Sequence, residues 1–399
     1  MSTYRSSVWR LLGVQALAMF ILWVPIWVVF LQRKGLSLSQ IGLLEAFAWI
    51  LTAALEVPTG AIADRWGRKA SIAIGTFLYA LAMFLIQAEA LSAAFLLGYA
   101  LWNSSIAFVS GADSALLYDS LKADGRASDA ARYAGRSAAV QQGSQGIAAL
   151  LGAAIATVDI TLCFTISGLL ALAGSALVLT VREPPHRDEG EQPLTYWKSL
   201  RTAVGIAARR PVVRALLLLS AAFSVVPLFV YYFLLQPYAL GVGLPLASLG
   251  AVVVAIQLTT VAASWLAHRA GARFDLTTIV TVGAVLLVSA TIALGAVPSV
   301  SSVGLMLVVA LVPALVGPLL TARLNNFIPS AQRATILSLS ALLAELGTAG
   351  AVPLLLALAD VLSPAIAIGL SASLFAVVAF PLLIVWRATD QPRARPEAG

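Results

Sequence analysis

Long unbroken apolar runs constrain this chain more than any other feature. A membrane-crossing helix needs about 20 consecutive, mostly apolar residues. Between charged or turn-rich breaks, such runs fall near 9–31, 40–62, 71–88, 93–117, 136–157, 160–181, 212–235, 246–267, 277–296, 300–322, 334–358 and 362–386. The runs are continuous rather than alternating, and too long for strands, so helices are expected. Composition agrees: only 11% of residues are charged, against roughly a quarter in soluble domains. Such a chain has too little polar surface to cover a soluble globule. The expectation is an all-α membrane protein with twelve transmembrane helices. The first run is longer than a signal-peptide core of about 7–15 residues and reads as a span.

The placement of charge gives the orientation. With the N-terminus inside, all but Arg33 and Lys34 of the 25 lysines and arginines fall in cytoplasmic segments. That bias predicts cytoplasmic N- and C-termini and an even number of spans. It also accounts for the net charge of +7 as topology, so no nucleic-acid partner is expected. One cysteine, Cys163, and two histidines, His186 and His268, in polar connections leave no expected metal site. No phosphate-cradling loop and no nucleophile–base pattern is present, so no enzyme activity and no cofactor are expected.

The longest connection, 182-REPPHRDEGEQPLTYWKSLRTAVGIAARRP-211, divides the chain. It predicts an N-terminal six-helix bundle at 1–181, a cytoplasmic linker at 182–211, a C-terminal six-helix bundle at 212–386 and a cytoplasmic tail at 387–399. Within the linker, 194–210 reads equally as an amphipathic helix on the inner leaflet or as a solvated segment. The halves repeat. The segment 35-GLSLSQIG-42 corresponds to 243-GLPLASLG-250, 64-DRWGRK-69 to 268-HRAGAR-273, and 116-LLYDSL-121 to 319-LLTARL-324. Equivalents lie six spans apart, so the halves share one orientation and are related by an axis along the membrane normal.

On these residues the chain resembles the major facilitator superfamily over essentially its whole length. The G-x-x-x-D-R-x-G-R-[KR] loop between spans two and three is complete as Gly60, Asp64, Arg65, Gly67, Arg68 and Lys69. The segments 56-EVPTGAIADRWGRK-69, 113-DSALLYDSL-121 and 332-QRATILSLS-340 resemble a bacterial branch described as drug-efflux permeases. The resemblance implies a secondary transporter working by alternating access in the bacterial inner membrane, a small-molecule substrate, a monomer, and a proton gradient as its energy source. It implies that Asp64 contacts the N-terminus of the eleventh helix, near Ala334, and so latches the halves on the inner side. Arg65, Arg68 and Lys69 are expected to reach Asp119. The fourth span, 102-WNSSIAFVSGADSALLYD-119, lacks the arginine of drug/proton antiporters, and the fifth lacks their Gly-Pro pair. Proton-coupled efflux of small amphipathic or hydrophobic compounds is the expectation. A proton-coupled symporter importing a small nutrient is the alternative, and a non-transporting sensor or assembly protein is a third reading.

Four acids fall within spans: Glu45, Glu56, Asp113 and Glu345. A mid-bilayer charge costs roughly 2.5–3.5 kcal/mol or more, so such groups face a cavity or a partner. Burial raises a carboxyl pKa by up to ~3–5 units, into the range of proton exchange near neutrality. Glu56, Asp113 and Glu345 are the proton-coupling candidates. A neutral acid that pins neighbouring helices is the plainer alternative for each. Substrate-cavity candidates are Trp27, Trp102, Asn103, Gln141, Gln145, Tyr231, Tyr232 and Gln257, although Trp and Tyr also populate interfacial belts. Pro25, Pro227, Pro313 and Pro318 mark kinks. With few charges at depth, the cavity suits neutral or cationic amphipathic ligands.

Overall fold

The computed structural model describes residues 3–185, 196–328 and 332–389. Thr3, Glu56, Val57, Gly60, Ala61, Ala63, Asp64, residues 196–200 and Ala334 are described by their backbone alone. Among the described residues every regular element is helical, as continuous apolar runs dictate. Ten helical segments there are long and apolar enough to cross a membrane. Two expected spans are not among them. The run at 9–31 is broken into α1 (Thr3–Ala18), an irregular stretch with a 3₁₀ turn at Val24–Ile26, and α2 (Trp27–Arg33). The run at 136–157 lies in α7 (Ala130–Ile155), which carries Arg132, Arg136, Gln141, Gln142 and Gln145 and is correspondingly polar.

The chain divides into two compact units: Met1–Gln192 with Ala239–Gln257, and Pro193–Tyr238 with Leu258–Gly399. In the first unit α3 (Leu38–Trp66) packs on α5 (Ala93–Val109). α4 (Arg68–Leu85) packs on α5 and α8 (Ile160–Leu179), and α1 on α8 and α6 (Ala112–Ala123). In the second unit α10 (Pro211–Leu228) packs on α14 (Met306–Asn325), α15 (Arg333–Val361) and α16 (Pro364–Thr389). α13 (Leu276–Ala296) packs on α16, and α9 (Tyr196–Arg209) lies against α10 and α15. Between α10 and α11 (Leu235–Gly241) the helix widens to a π turn at Phe229–Leu234, just after Pro227. α12 (Ser248–Arg273) contributes its first part, to Gln257, to the first unit.

Loops are closed by side chains that satisfy the free N–H groups of helix starts. Ser92 accepts from the Phe95 amide, and Asp275 from those of Thr277 and Thr278. Asp159 accepts from the hydroxyl and amide of Thr161, and those bonds, the hydroxyl's foremost, hold its carboxyl below the usual range. The sequence repeat is visible in the backbone. At 35-GLSL-38 the Gly35 amide donates to Gln32 and the Leu36 amide to Leu31; at 243-GLPL-246 Gly243 donates to Leu240 and Leu244 to Ala239. Both glycines have positive φ, 86° and 92°. The same helix-terminating turn therefore ends α2 and α11.

Candidate functional site

The expected continuous fourth span is two helices. α5 ends at Val109, Gly111 turns the chain with φ 74°, and α6 begins at Ala112. A break inside an apolar span leaves carbonyls without helical partners, and in lipid these must be satisfied by protein. Thr59 donates its hydroxyl to the Ala107 carbonyl, and Ser71 to that of Phe108. The break places Asp113 at the second position of a helix, where the positive end of the peptide dipoles favours a carboxylate. Its Oδ1 accepts from the Ser114 amide at 2.7 Å, and its Oδ2 from Gln15 Nε2 of α1 at 3.2 Å. Gln15 Oε1 in turn accepts from the Ser137 hydroxyl of α7 at 2.7 Å, and Ser137 Oγ accepts from Gln141 Nε2 at 3.0 Å. Four side chains on three helices thus form one hydrogen-bonded line ending on the carboxylate. Asp113, Ser137 and Gln141 line a cavity of about 470 Å³ whose other walls include Leu117, Tyr118 and Leu121. Among the described residues that line it there is no basic residue.

The first span is broken as well. Leu22 sits in the irregular stretch between α1 and α2, its amide donating to the Ser167 hydroxyl. Its carbonyl presses on Gly152 of α7 so closely that a Cβ there would lie 1.8 Å from the oxygen.

The charged loop after α3 forms a second cluster. Arg68 pairs with Asp119 of α6 and donates to the Ala115 carbonyl at 3.1 Å. The Glu183 carboxylate crosses the start of α4, accepting from the backbone amides of Arg68 at 2.7 Å and Lys69 at 3.3 Å. It lies where a side chain at Gly67 would be, since a Cβ there would come within 2.7 Å of Glu183 Oε2. Glu183 thus supplies the negative charge that a helix N-terminus favours. Arg65 is exposed. Gly60, Asp64 and Ala334 lie outside the residues with described side chains, and the expected latch with them.

A profile of the Major Facilitator Superfamily matches residues 9–352. The chain belongs to the major facilitator superfamily. An uncharacterized transporter of that type, YxaM of Bacillus subtilis (strain 168), is 36% identical over 87 residues; the match spans 22% of this chain and 22% of that protein. Among solved structures, a bacterial homolog of the human lysosomal transporter Spinster aligns over 99% of this chain and 100% of its own, with a TM-score of 0.77 at 17% identity. The nucleoside transporter NupG aligns over 97% and 100%, with 0.79 at 12%. A D-xylose–proton symporter aligns over 96% and 95%, with 0.64 at 15%. At these identities the likeness is one of fold. The chain is therefore a multi-pass membrane protein of a transporter superfamily that handles small molecules.

The remaining candidates of this superfamily member are placed as follows. Trp27 and Trp102 are buried with Trp23, Tyr99 and Phe164 in an aromatic cluster. Glu45, buried beside it, accepts from Trp27 Nε1 at 2.9 Å and the Tyr99 hydroxyl at 2.6 Å, tying α2, α3 and α5 together. Asn103 is buried and donates to the Tyr99 carbonyl. Gln257 donates to Gln145 at 2.9 Å within the first unit. Tyr231 and Tyr232 lie half-buried in the π turn. Glu345 is half-buried and engaged in α15. Glu56 lies in α3 outside the described side chains. Among the described residues no group of three or more His, Cys, Asp or Glu is placed to hold a metal.

Three participants escape sequence reasoning. Gly111 carried a signal, the Ser-Gly pair inside an apolar run. Gln15 and Glu183 carried none, because their partners lie about a hundred residues away in sequence.

Proposed function

We propose that this protein is a proton-coupled secondary transporter working by alternating access, and that it expels small cationic or neutral amphipathic compounds. In this reading twelve spans form two six-helix bundles, 1–181 and 212–386, in the inner membrane of a bacterium, with both termini cytoplasmic. It acts as a monomer, without cofactor, driven by the proton gradient.

The observation that carries the reading is the Asp113 line. With Asp113 ionised, every hydrogen runs toward the carboxylate: Gln141 to Ser137, Ser137 to Gln15, Gln15 to Asp113. A proton on Oδ2 makes that oxygen a donor toward Gln15, which then turns its amide to offer Oε1. Gln15 Nε2 then donates to Ser137 Oγ, and the Ser137 hydrogen must find another acceptor. One proton on α6 therefore reorders bonds on α1 and α7, the helices that wall the cavity or pack beside it. Discontinuous helices suit this work, because they bring polar groups into a lipid-embedded cavity. A lining with one carboxylate, one amide, three hydroxyls and apolar side chains, and no cation among the described residues, favours a cationic amphipath over an anion.

Reconstituted vesicles with an imposed pH gradient and a panel of cationic dyes test the direction. Export predicts dye movement against the inward proton flux. Co-movement of dye and protons contradicts export and favours the import reading, for which the D-xylose–proton symporter gives a precedent on this fold.

A further inference from the structure

The second unit holds a cavity of about 550 Å³ that transport through Asp113 does not use. Arg201, Arg209 and Arg210 line it, with Thr202 and Ile206 of α9 and Gln332 at the start of α15. Among the described residues that line it there is no carboxylate. Arg201, Arg209 and Arg210 are each exposed to solvent, and three like charges around one hollow repel each other. Two helices also begin at this cavity: α10 at Pro211, directly after Arg210, and α15 at Arg333, directly after Gln332. Neither N-cap side chain caps its helix. Their N-terminal dipoles add positive potential at the same place. Arg210 is fixed in part by donating to the Phe327 carbonyl at 2.7 Å. α9 is seated on the protein through Ala203, which is fully buried.

We propose that this cavity binds a phosphate-bearing anion. Guanidinium groups match phosphate oxygens in fork geometry, and three of them meet the charge of a phosphodiester or phosphomonoester. The location points to the membrane boundary, because the apolar spans Pro211–Gly241 and Thr335–Val361 both start there. An anionic lipid headgroup and a free phosphate share this chemistry, and the two sources are separable.

The test uses the full-length protein in nanodiscs of either phosphatidylglycerol or phosphatidylcholine, whose choline offsets its phosphate charge. Native mass spectrometry after gentle release reads retained lipid, and a thermal-shift arm in phosphatidylcholine adds inorganic phosphate. If a lipid fills the site, phosphatidylglycerol is retained, and R201Q/R209Q lowers retention by roughly tenfold or more. If a free anion fills it, inorganic phosphate raises the melting temperature of the wild type and not of the variant. Arg210 is left intact because it also holds Phe327, and the variant must melt like the wild type in phosphatidylcholine alone. Should the variant misfold, the wild-type comparison between the two lipids and with phosphate still decides. Equal retention of both lipids together with no phosphate shift overturns the proposal, as does a well-folded variant that binds as the wild type does. The readout is binding, so its outcome is independent of proton coupling.

Discussion

At the scale of single residues, the protein spends its few polar side chains on backbone that its spans leave unsatisfied. Thr59 and Ser71 reach the carbonyls at the end of α5, Ser167 reaches the amide of Leu22, and Glu183 reaches the start of α4. None of these roles is local. Each joins groups far apart in sequence, which is why the residue types alone did not disclose them. Close approach is as specific as hydrogen bonding. Gly152 admits the Leu22 carbonyl where any Cβ would collide with it. Gly152→Ala is expected to destabilise the fold by about 1–3 kcal/mol, as overpacking of a close contact does. Thermal unfolding in detergent checks this; a midpoint equal to the wild type's would show that the unwound stretch of the first span does not rest on α7.

At the scale of elements, the spans were legible because hydropathy is a sum over neighbours and needs no knowledge of packing. The breaks within them were legible only in part. The run 93–117 is mostly apolar, and tertiary support lets Gly111 interrupt it. The irregular turns at Val24–Ile26 and after Pro227 were legible as kinks from Pro25 and Pro227, though their 3₁₀ and π geometry was not. The loop motif was legible as a unit, yet its partner Glu183 sits in a linker whose composition suggested only solvation. The turn between α5 and α6 depends on a conformation that L side chains rarely adopt. Gly111→Ala meets open space, so its cost is conformational alone, of order 1–3 kcal/mol. Gly143→Ala, equally unobstructed and without positive φ, is expected to leave stability unchanged or slightly raised. Paired melting curves of the two variants separate backbone strain from helix propensity; equal midpoints would mean that the α5–α6 break is not maintained by Gly111.

At the scale of the whole molecule, the repeat was readable in the sequence and returns as identical helix-terminating turns at Gly35 and Gly243. The proposed orientation is open to direct test. Cys163→Ala, at the single cysteine of the chain, gives a cysteine-free background. In it, Val158→Cys, at an exposed loop, is expected to react with a membrane-impermeant maleimide in intact cells, and Ser128→Cys only after permeabilisation. The reverse pattern would invert the topology. The central claim is that a proton held on Asp113 is exchanged during transport. It is tested most directly by comparing wild type and Asp113→Asn in proteoliposomes, following gradient-driven dye flux and dye–dye exchange in the same preparation. The predicted result is that Asp113→Asn loses gradient-driven flux while exchange, which needs no net proton movement, persists. Gradient-driven flux at the wild-type rate in Asp113→Asn would contradict it.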